Sequence, residues 1–132
     1  MNSHKILIVE DSLLLHRMYQ LMLYPFVGRT GGLLHAYDGP QAFDLLEKHP
    51  DTALIILDTT LPQMSGFEVL RRFKDKPSVK SIPVVVVSTE GRQEHIEQGL
   101  QAGAYAYVTK PFKPIRLQDL VGKIFQLRAA NG

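Results

Sequence analysis

The stretch Ile6-Leu7-Ile8-Val9-Glu10-Asp11 joins four apolar residues to two adjacent acids. The apolar residues are continuous and mostly β-branched, which is typical of a strand that is buried on both faces of a parallel sheet. Similar runs occupy residues 53–57, 84–87 and, more weakly, 104–108. Residues 33–37 are less apolar and are predicted to form an edge strand. The chain therefore has five predicted strands.

Helical periodicity fills the intervals between the strands. Each predicted helix has an apolar stripe that we expect to pack in the core: Leu14, Met18, Leu21 and Met22; then Ala42, Leu45 and Leu46; then Phe67, Leu70 and Phe73; then Ile96 and Leu100; and finally Leu117, Leu120, Val121, Ile124 and Leu127. Ser65-Gly66-Phe67-Glu68 is typical of a capping box, and Pro114 suits the first turn of the last helix. Five β-α units predict an α/β fold, with a parallel five-stranded sheet and helices on both faces.

Composition excludes several classes of protein. The 132 residues, of which 45% are hydrophobic and 21% charged, suit one folded domain, which we place at residues 1–132 with its core at about 4–128. The absence of cysteine excludes a disulfide scaffold, a thiolate metal site and a cysteine nucleophile. The apolar runs are too short for a signal peptide or a membrane span, so we expect a cytoplasmic protein without a membrane partner. The five units use almost the whole chain, so we expect no output domain.

Charge does not predict a nucleic-acid partner. The formal net charge is only +2, and the basic residues near the third and fifth predicted helices accompany no recognition motif. We interpret them as solvated faces of the protein.

Polar residues follow four of the predicted strands: Glu10 and Asp11 after the first, Asp58 after the third, Ser88, Thr89 and Glu90 after the fourth, and Thr109, Lys110 and Pro111 after the fifth. Each residue alone would suit an ordinary loop or a helix cap. The carboxyl ends of parallel strands share one edge, however, and open α/β sheets bind ligands there. The sequence therefore predicts that three acids and one lysine converge.

Such a cluster of acids predicts a bound cation. Two carboxylates about 4 Å apart repel by roughly 1 kcal/mol in water and about 4 kcal/mol at an effective dielectric of 20. Ligands that are all oxygen favour Mg²⁺, whereas zinc is disfavoured by the lack of cysteine and of a histidine at these strand ends. A carboxylate beside Mg²⁺ and lysine indicates phosphoryl chemistry. Asp58 is the candidate nucleophile, which would form an aspartyl phosphate, and Glu10 and Asp11 are the candidate metal ligands.

These motifs resemble the receiver domain of two-component response regulators, of the single-domain, chemotaxis-receiver-like kind. The landmarks occur in order and at the family's spacing: Val9-Glu10-Asp11-Ser12, Leu57-Asp58-Thr59-Thr60-Leu61-Pro62-Gln63-Met64-Ser65-Gly66, Val87-Ser88-Thr89-Glu90, Ala102-Gly103-Ala104 and Tyr107-Val108-Thr109-Lys110-Pro111-Phe112. The resemblance implies the flavodoxin-like strand order 2-1-3-4-5.

The resemblance also implies a role for individual residues. It makes Asp58 the phosphoacceptor and assigns Mg²⁺, or alternatively Mn²⁺, to the carboxylates of Glu10, Asp11 and Asp58 and the backbone carbonyl of Thr60. The phosphoryl group would contact Lys110, the Ser88 side chain and the Thr89 backbone. Ser88 and Tyr107 would form the switch pair, and the peptide bond before Pro111 would be cis.

The implied function is signalling rather than enzymatic turnover, although the domain would assist its own phosphotransfer and dephosphorylation. A sensor histidine kinase or a histidine phosphotransfer protein would donate the phosphoryl group. A downstream protein would then recognise the changed surface of the fourth helix, fifth strand and fifth helix. Thr89 departs from the family, which usually has Ala or Gly there, and we expect its β-branched side chain to crowd the phosphoryl group or narrow the access of phosphodonors.

Three alternatives stay open at this point. A receiver-like interaction module that no longer depends on phosphate is supported only by Thr89. A phosphatase with an aspartyl nucleophile would have a second Asp two residues after Asp58, where this chain has Thr60. A carrier of flavin mononucleotide would need a Ser/Thr/Gly-rich loop after the first strand, where Glu10 and Asp11 would repel the phosphate.

Overall fold

The computed structural model describes residues 4–27 and 31–131, with side chains up to residue 127. Strands and helices alternate along these residues: β1 (Ile6–Val9), α1 (Leu13–Val27), β2 (Leu33–Ala36), α2 (Gly39–Lys48), β3 (Leu54–Asp58), α3 (Gly66–Asp75), β4 (Val84–Ser88), α4 (Gln93–Gln101), β5 (Ala106–Thr109) and α5 (Pro114–Asn131). The predicted succession of five β-α units is confirmed.

All strand pairs are parallel, and the sheet has the order β2-β1-β3-β4-β5. Both the expected order and the edge position of β2 are confirmed. The three continuous apolar runs form the central strands, in which every residue is buried. The strands with polar or half-buried residues lie at the two edges, because an edge strand has a neighbour on one side only.

The sheet separates two apolar layers. Alternate residues of β1 enter opposite layers, with Leu7 in one and Ile8 in the other. Residues of α2 and α3 complete the first layer, and residues of α1 and α5 complete the second. The prediction of helices on both faces is therefore confirmed. Within the described part of the chain, no helix has the length and apolar character needed to span a membrane.

The apolar stripe predicted for α1 is half wrong: Met22 is buried and Met18 packs against the core as predicted, but the two leucines are not in it. Leu14 and Leu21 are 76% and 82% exposed, whereas His16, Tyr19 and Leu23 are buried. Leucines occur around most of this helix, so hydrophobicity alone does not select the face that packs on the sheet. The result is an apolar outer surface on α1.

The outward leucines of α4 and α5 are further corrections. Leu100 and Leu127 are 44% and 51% exposed, although the sequence pattern predicts both on core-facing stripes. In α4 the buried residue is Gly99, which is covered by the ring of Tyr107. A Cβ atom at this position would lie only 3.0 Å from that ring. An aromatic side chain from β5 thus fills the space that a helix residue would otherwise occupy.

Local signals define the ends of two helices as expected. The Ser65 hydroxyl accepts a hydrogen bond from the Glu68 amide at 3.3 Å, which caps α3. The Glu68 carboxylate binds Arg71 and Arg72 on the same helix, so the reciprocal half of the capping box is replaced by ion pairs. Helix α5 begins at Pro114.

Two substitutions on α1 test its orientation. We expect Leu21→Ala to change the free energy of unfolding by no more than about 0.5 kcal/mol, because the side chain lies outside the core. Leu23→Ala should lower it by about 2–5 kcal/mol through loss of buried contacts and creation of a cavity. Urea denaturation followed by circular dichroism measures both, and equal losses would contradict the observed orientation.

Candidate functional site

The parallel registers bring the predicted site residues to one edge of the sheet. Val9 lies beside Leu57, and Asp58 lies beside Val87, so the residues that follow β1 and β4 flank the end of β3. Ser88 in turn lies beside Thr109, which places Lys110 at the same edge. Residues that are up to 100 positions apart in the sequence therefore meet, as the Lys110–Glu10 contact shows.

Three carboxylates form the centre of the site. One oxygen from each of Glu10, Asp11 and Asp58 lies within 4.8 Å of the others. Glu10 and Asp58 are buried at 1% and 6% exposure, while Asp11 is open to solvent. The Lys110 ammonium lies 3.3 Å from Glu10 Oε1 and 3.6 Å from Asp58 Oδ1. One lysine offsets only part of the charge of three acids, so the cluster suits a divalent cation with oxygen ligands.

Burial has a large effect on Glu10. Desolvation, followed by the nearby Asp58 and a hydrogen bond with Asp11, raises the pKa of Glu10 to about 7. The Ser12 amide, 3.1 Å from Glu10 Oε2, and the charge of Lys110 act in the opposite direction. Glu10 therefore keeps its proton at pH values well above those at which an ordinary carboxyl group loses it. Binding of a cation at this position would release the proton.

The backbone of Thr60 lies beside the acids. Its amide donates to Asp58 Oδ1 at 3.3 Å, so the chain turns tightly after Asp58. This contact helps to orient the Asp58 carboxylate within the cluster of acids. The metal-binding role of the Thr60 carbonyl stays a prediction.

The Ser88 hydroxyl is buried at the carboxyl end of β4. It accepts a hydrogen bond from the Thr59 hydroxyl at 2.7 Å and another from the Glu90 amide at 3.0 Å. The sequence interpretation missed Thr59, although the register that pairs Asp58 with Val87 would have placed the next residue beside Ser88. Thr89 is exposed, and it lines a mostly apolar groove together with Lys110.

Tyr107 contacts the same loop from the other side. Its hydroxyl donates to the Glu90 carbonyl at 2.6 Å, and its ring packs against Gly99. The backbone of Glu90 thus bonds Ser88 through its amide and Tyr107 through its carbonyl. The peptide bond between Lys110 and Pro111 is cis.

His16, on α1, is a second residue whose role the sequence pattern does not predict. It holds the loop after β1 through the backbone of Glu10. Its Nε2 lies 2.6 Å from the Glu10 carbonyl, which can only accept, so Nε2 carries the proton. Burial lowers the pKa of His16, and the neutral ring then accepts at Nδ1 from the Nδ1–H of His35, 2.8 Å away. No strand-end pattern identifies this residue, because it lies inside α1 and reaches the site through a backbone group.

The chain belongs to the response regulator receiver domain family, which matches residues 6–122. The chemotaxis protein CheY homolog of Campylobacter jejuni is 32% identical over 124 residues, covering 89% of this chain and 92% of that protein. Chemotaxis protein CheY1 of Helicobacter pylori is 31% identical over 117 residues, covering 87% of this chain and 91% of that protein.

Solved structures show the same similarity. The chemotaxis response regulator CheY4 of Vibrio cholerae superposes with a TM-score of 0.82 at 27% identity, covering 92% of this chain and 98% of that one. The chain is therefore a CheY-like response regulator receiver domain of two-component systems. The family consists of signalling domains and not, in general, of enzymes.

The raised pKa of Glu10 predicts a pH-dependent effect of Glu10→Gln. Between the ordinary carboxyl value of 4.5 and about 7, the folded state binds more protons than the unfolded state, so this residue's contribution to stability falls as pH rises through that window. In EDTA at pH 8 we expect the substitution to raise the free energy of unfolding by on the order of 1–3 kcal/mol, and at pH 5 by little. Urea denaturation at both pH values measures the effect.

Glu47→Gln is the matched control, because Glu47 is an exposed acid on α2. It should change the unfolding free energy little at either pH. Saturating Mg²⁺ should stabilise the unsubstituted protein more than the Glu10→Gln variant. A Glu10→Gln variant that is less stable than the unsubstituted protein at pH 8 in EDTA would contradict the proposed charge repulsion.

Proposed function

We propose that Asp58 accepts a phosphoryl group from a sensor histidine kinase or a histidine phosphotransfer protein. The observation that carries this proposal is the cluster of Glu10, Asp11 and Asp58 carboxylates with Lys110 beside it. Membership of the receiver family supports the same chemistry. In this proposal the three carboxylates and the Thr60 carbonyl hold Mg²⁺ or Mn²⁺, which when bound offsets the charge between the phosphoryl oxygens and the acids.

The transfer exchanges one bond to phosphorus for another. An Asp58 carboxylate oxygen forms the new P–O bond, the P–N bond to the donor histidine breaks, and the leaving imidazole keeps the electron pair and takes up a proton. Lys110 already lies 3.6 Å from Asp58 Oδ1 and pairs with the phosphoryl oxygens. The Thr89 backbone amide and the Ser88 hydroxyl complete the contacts.

Signalling follows from movement of Ser88 and Tyr107. A shift of a two-state element from 1:99 to 99:1 needs about 5.5 kcal/mol, whereas one charge-assisted hydrogen bond supplies roughly 1.5–3 kcal/mol. Pairing with Lys110 and binding of a partner must supply the rest. The downstream target binds the surface of α4, β5 and α5, where Leu100, Tyr105 and Ile115 are exposed apolar side chains.

The phosphodonor binds a different surface, beside α1. Its phosphohistidine has to lie above Asp58, so the donor also covers the neighbouring surface. A groove lined by Leu15, Met18 and Phe112 adjoins Lys110 there, and the exposed leucines of α1 extend this apolar surface. An apolar helical face on the donor fits this arrangement.

Acetyl phosphate tests the acceptor directly. Incubation with Mg²⁺ should give a slower band in phosphate-affinity electrophoresis, and EDTA should abolish it because the cation offsets charge in the transfer. Asp58→Asn should remove the band, because the amide is not a competent nucleophile. Asp44→Asn, which changes an exposed acid on α2, should be labelled like the unsubstituted protein.

Two outcomes would reject the proposal. A band of equal strength in the Asp58→Asn variant would show that another residue is modified. No Mg²⁺-dependent band in the unsubstituted protein would instead favour an interaction module that does not depend on phosphate.

Thr89 predicts a limit on labelling by small donors. Its β-branched side chain lines the same groove as Lys110, so Thr89→Ala should accelerate labelling by acetyl phosphate. The gain should be up to about tenfold, which corresponds to 1.4 kcal/mol. Thr89→Ser keeps the hydroxyl but removes the methyl group, so it separates the effect of side-chain bulk from the effect of the hydroxyl. Labelling of the unsubstituted protein that is as fast as that of Thr89→Ala would contradict crowding.

A further inference from the structure

The hydroxyls of Thr59 and Ser88 form a direct hydrogen bond beside the acceptor residue. Thr59 Oγ1 donates to Ser88 Oγ at 2.7 Å, and the Glu90 amide donates to the same oxygen at 3.0 Å. A hydroxyl oxygen has two acceptor lone pairs, so both are occupied in this arrangement. Because Ser88 is only 1% exposed, water has little access to replace either donor.

The backbone at Thr59 is fixed by the start of α3. Its carbonyl accepts from the Gly66 amide at 3.0 Å. Gly66 itself packs so closely against the backbone of residues 58 and 59 that a Cβ atom there would overlap the Asp58 carbonyl and the Thr59 Cα. Thr59 therefore has little freedom to follow Ser88 when that side chain moves.

We infer that Thr59 is a positioning residue that holds Ser88 in the resting arrangement. This inference rests on the proposed function, in which Ser88 moves to contact a phosphoryl group on Asp58. The hydrogen bond from Thr59 then has to break first. Thr59 thereby sets how readily the domain enters its phosphorylated arrangement.

The balance of hydrogen bonds makes this position sensitive. Ser88 gives up two bonds between neutral groups and gains one charge-assisted bond to the phosphoryl group, which is roughly twice as strong as a neutral one. The exchange is nearly even. Removal of one of the two resting bonds consequently favours the phosphorylated arrangement.

Three substitutions test this role. Thr59→Val removes the hydroxyl but keeps the shape of the side chain, and Thr59→Ala removes both the hydroxyl and the bulk. Thr59→Ser is the control, because it keeps the hydroxyl donor. We expect Thr59→Val and Thr59→Ala to increase labelling by acetyl phosphate about two- to tenfold, the range that one neutral hydrogen bond gives. Thr59→Ser should behave like the unsubstituted protein. In unphosphorylated Thr59→Val, the amide NMR signals of Glu90 and Tyr107 should lie partway toward their phosphorylated positions.

A double-mutant cycle with Ser88→Ala separates this role from general effects on folding. When Ser88 lacks its hydroxyl, Thr59→Val should change neither the labelling rate nor the NMR positions. Two outcomes would overturn this inference alone, provided that the unsubstituted protein is labelled. One is that Thr59→Val accelerates labelling equally in the Ser88→Ala protein. The other is that Thr59→Val does not accelerate labelling when Ser88 is present. No labelling of the unsubstituted protein would overturn the proposed function and this inference with it.

Discussion

Parallel pairing aligns Val9 with Leu57 and Asp58 with Val87, and the candidate site depends on these registers. A slip of one residue would turn every buried side chain of a strand to the opposite face. Each buried Ile, Leu or Val contributes roughly 1.5–3 kcal/mol, and the three central strands are buried throughout. This sum greatly exceeds a carboxylate repulsion of about 4 kcal/mol. Packing of the core therefore holds the acids together, and the site relieves the repulsion through a proton on Glu10, Lys110 or a cation.

The loop after β4 connects this charged centre to a distant surface. The backbone of one residue, Glu90, donates through its amide to the Ser88 hydroxyl and accepts through its carbonyl from the Tyr107 hydroxyl. In the proposed mechanism, movement of Ser88 breaks the first of these bonds. The loop is then no longer tied to the Ser88 side chain and can shift together with Tyr107. The ring of Tyr107 packs against Gly99 in α4, so a change in the loop reaches the helix through direct contact.

The sequence predicts the sheet and the acidic cluster well, because both depend on simple patterns. Continuous apolar runs identify the buried strands, and polar residues directly after them must meet at one edge. The orientation of α1 could not be predicted in this way, because Leu14 and Leu21 compete with Tyr19 and Leu23 for the core. The sequence pattern does not predict a role for His16, because this side chain reaches the site through the Glu10 carbonyl. It does not predict one for Thr59, because the partner of Thr59 depends on the register of β3 and β4.

Identification of the phosphorylated atom tests the central claim most directly. Borohydride reduces an aspartyl phosphate to homoserine, which mass spectrometry locates in the sequence. After treatment with acetyl phosphate and Mg²⁺, we predict homoserine at position 58 and unchanged aspartate at position 11. Homoserine elsewhere, phosphate on a serine or threonine, or no reduction product at position 58 in a labelled protein would contradict the assignment of Asp58 as the phosphoacceptor.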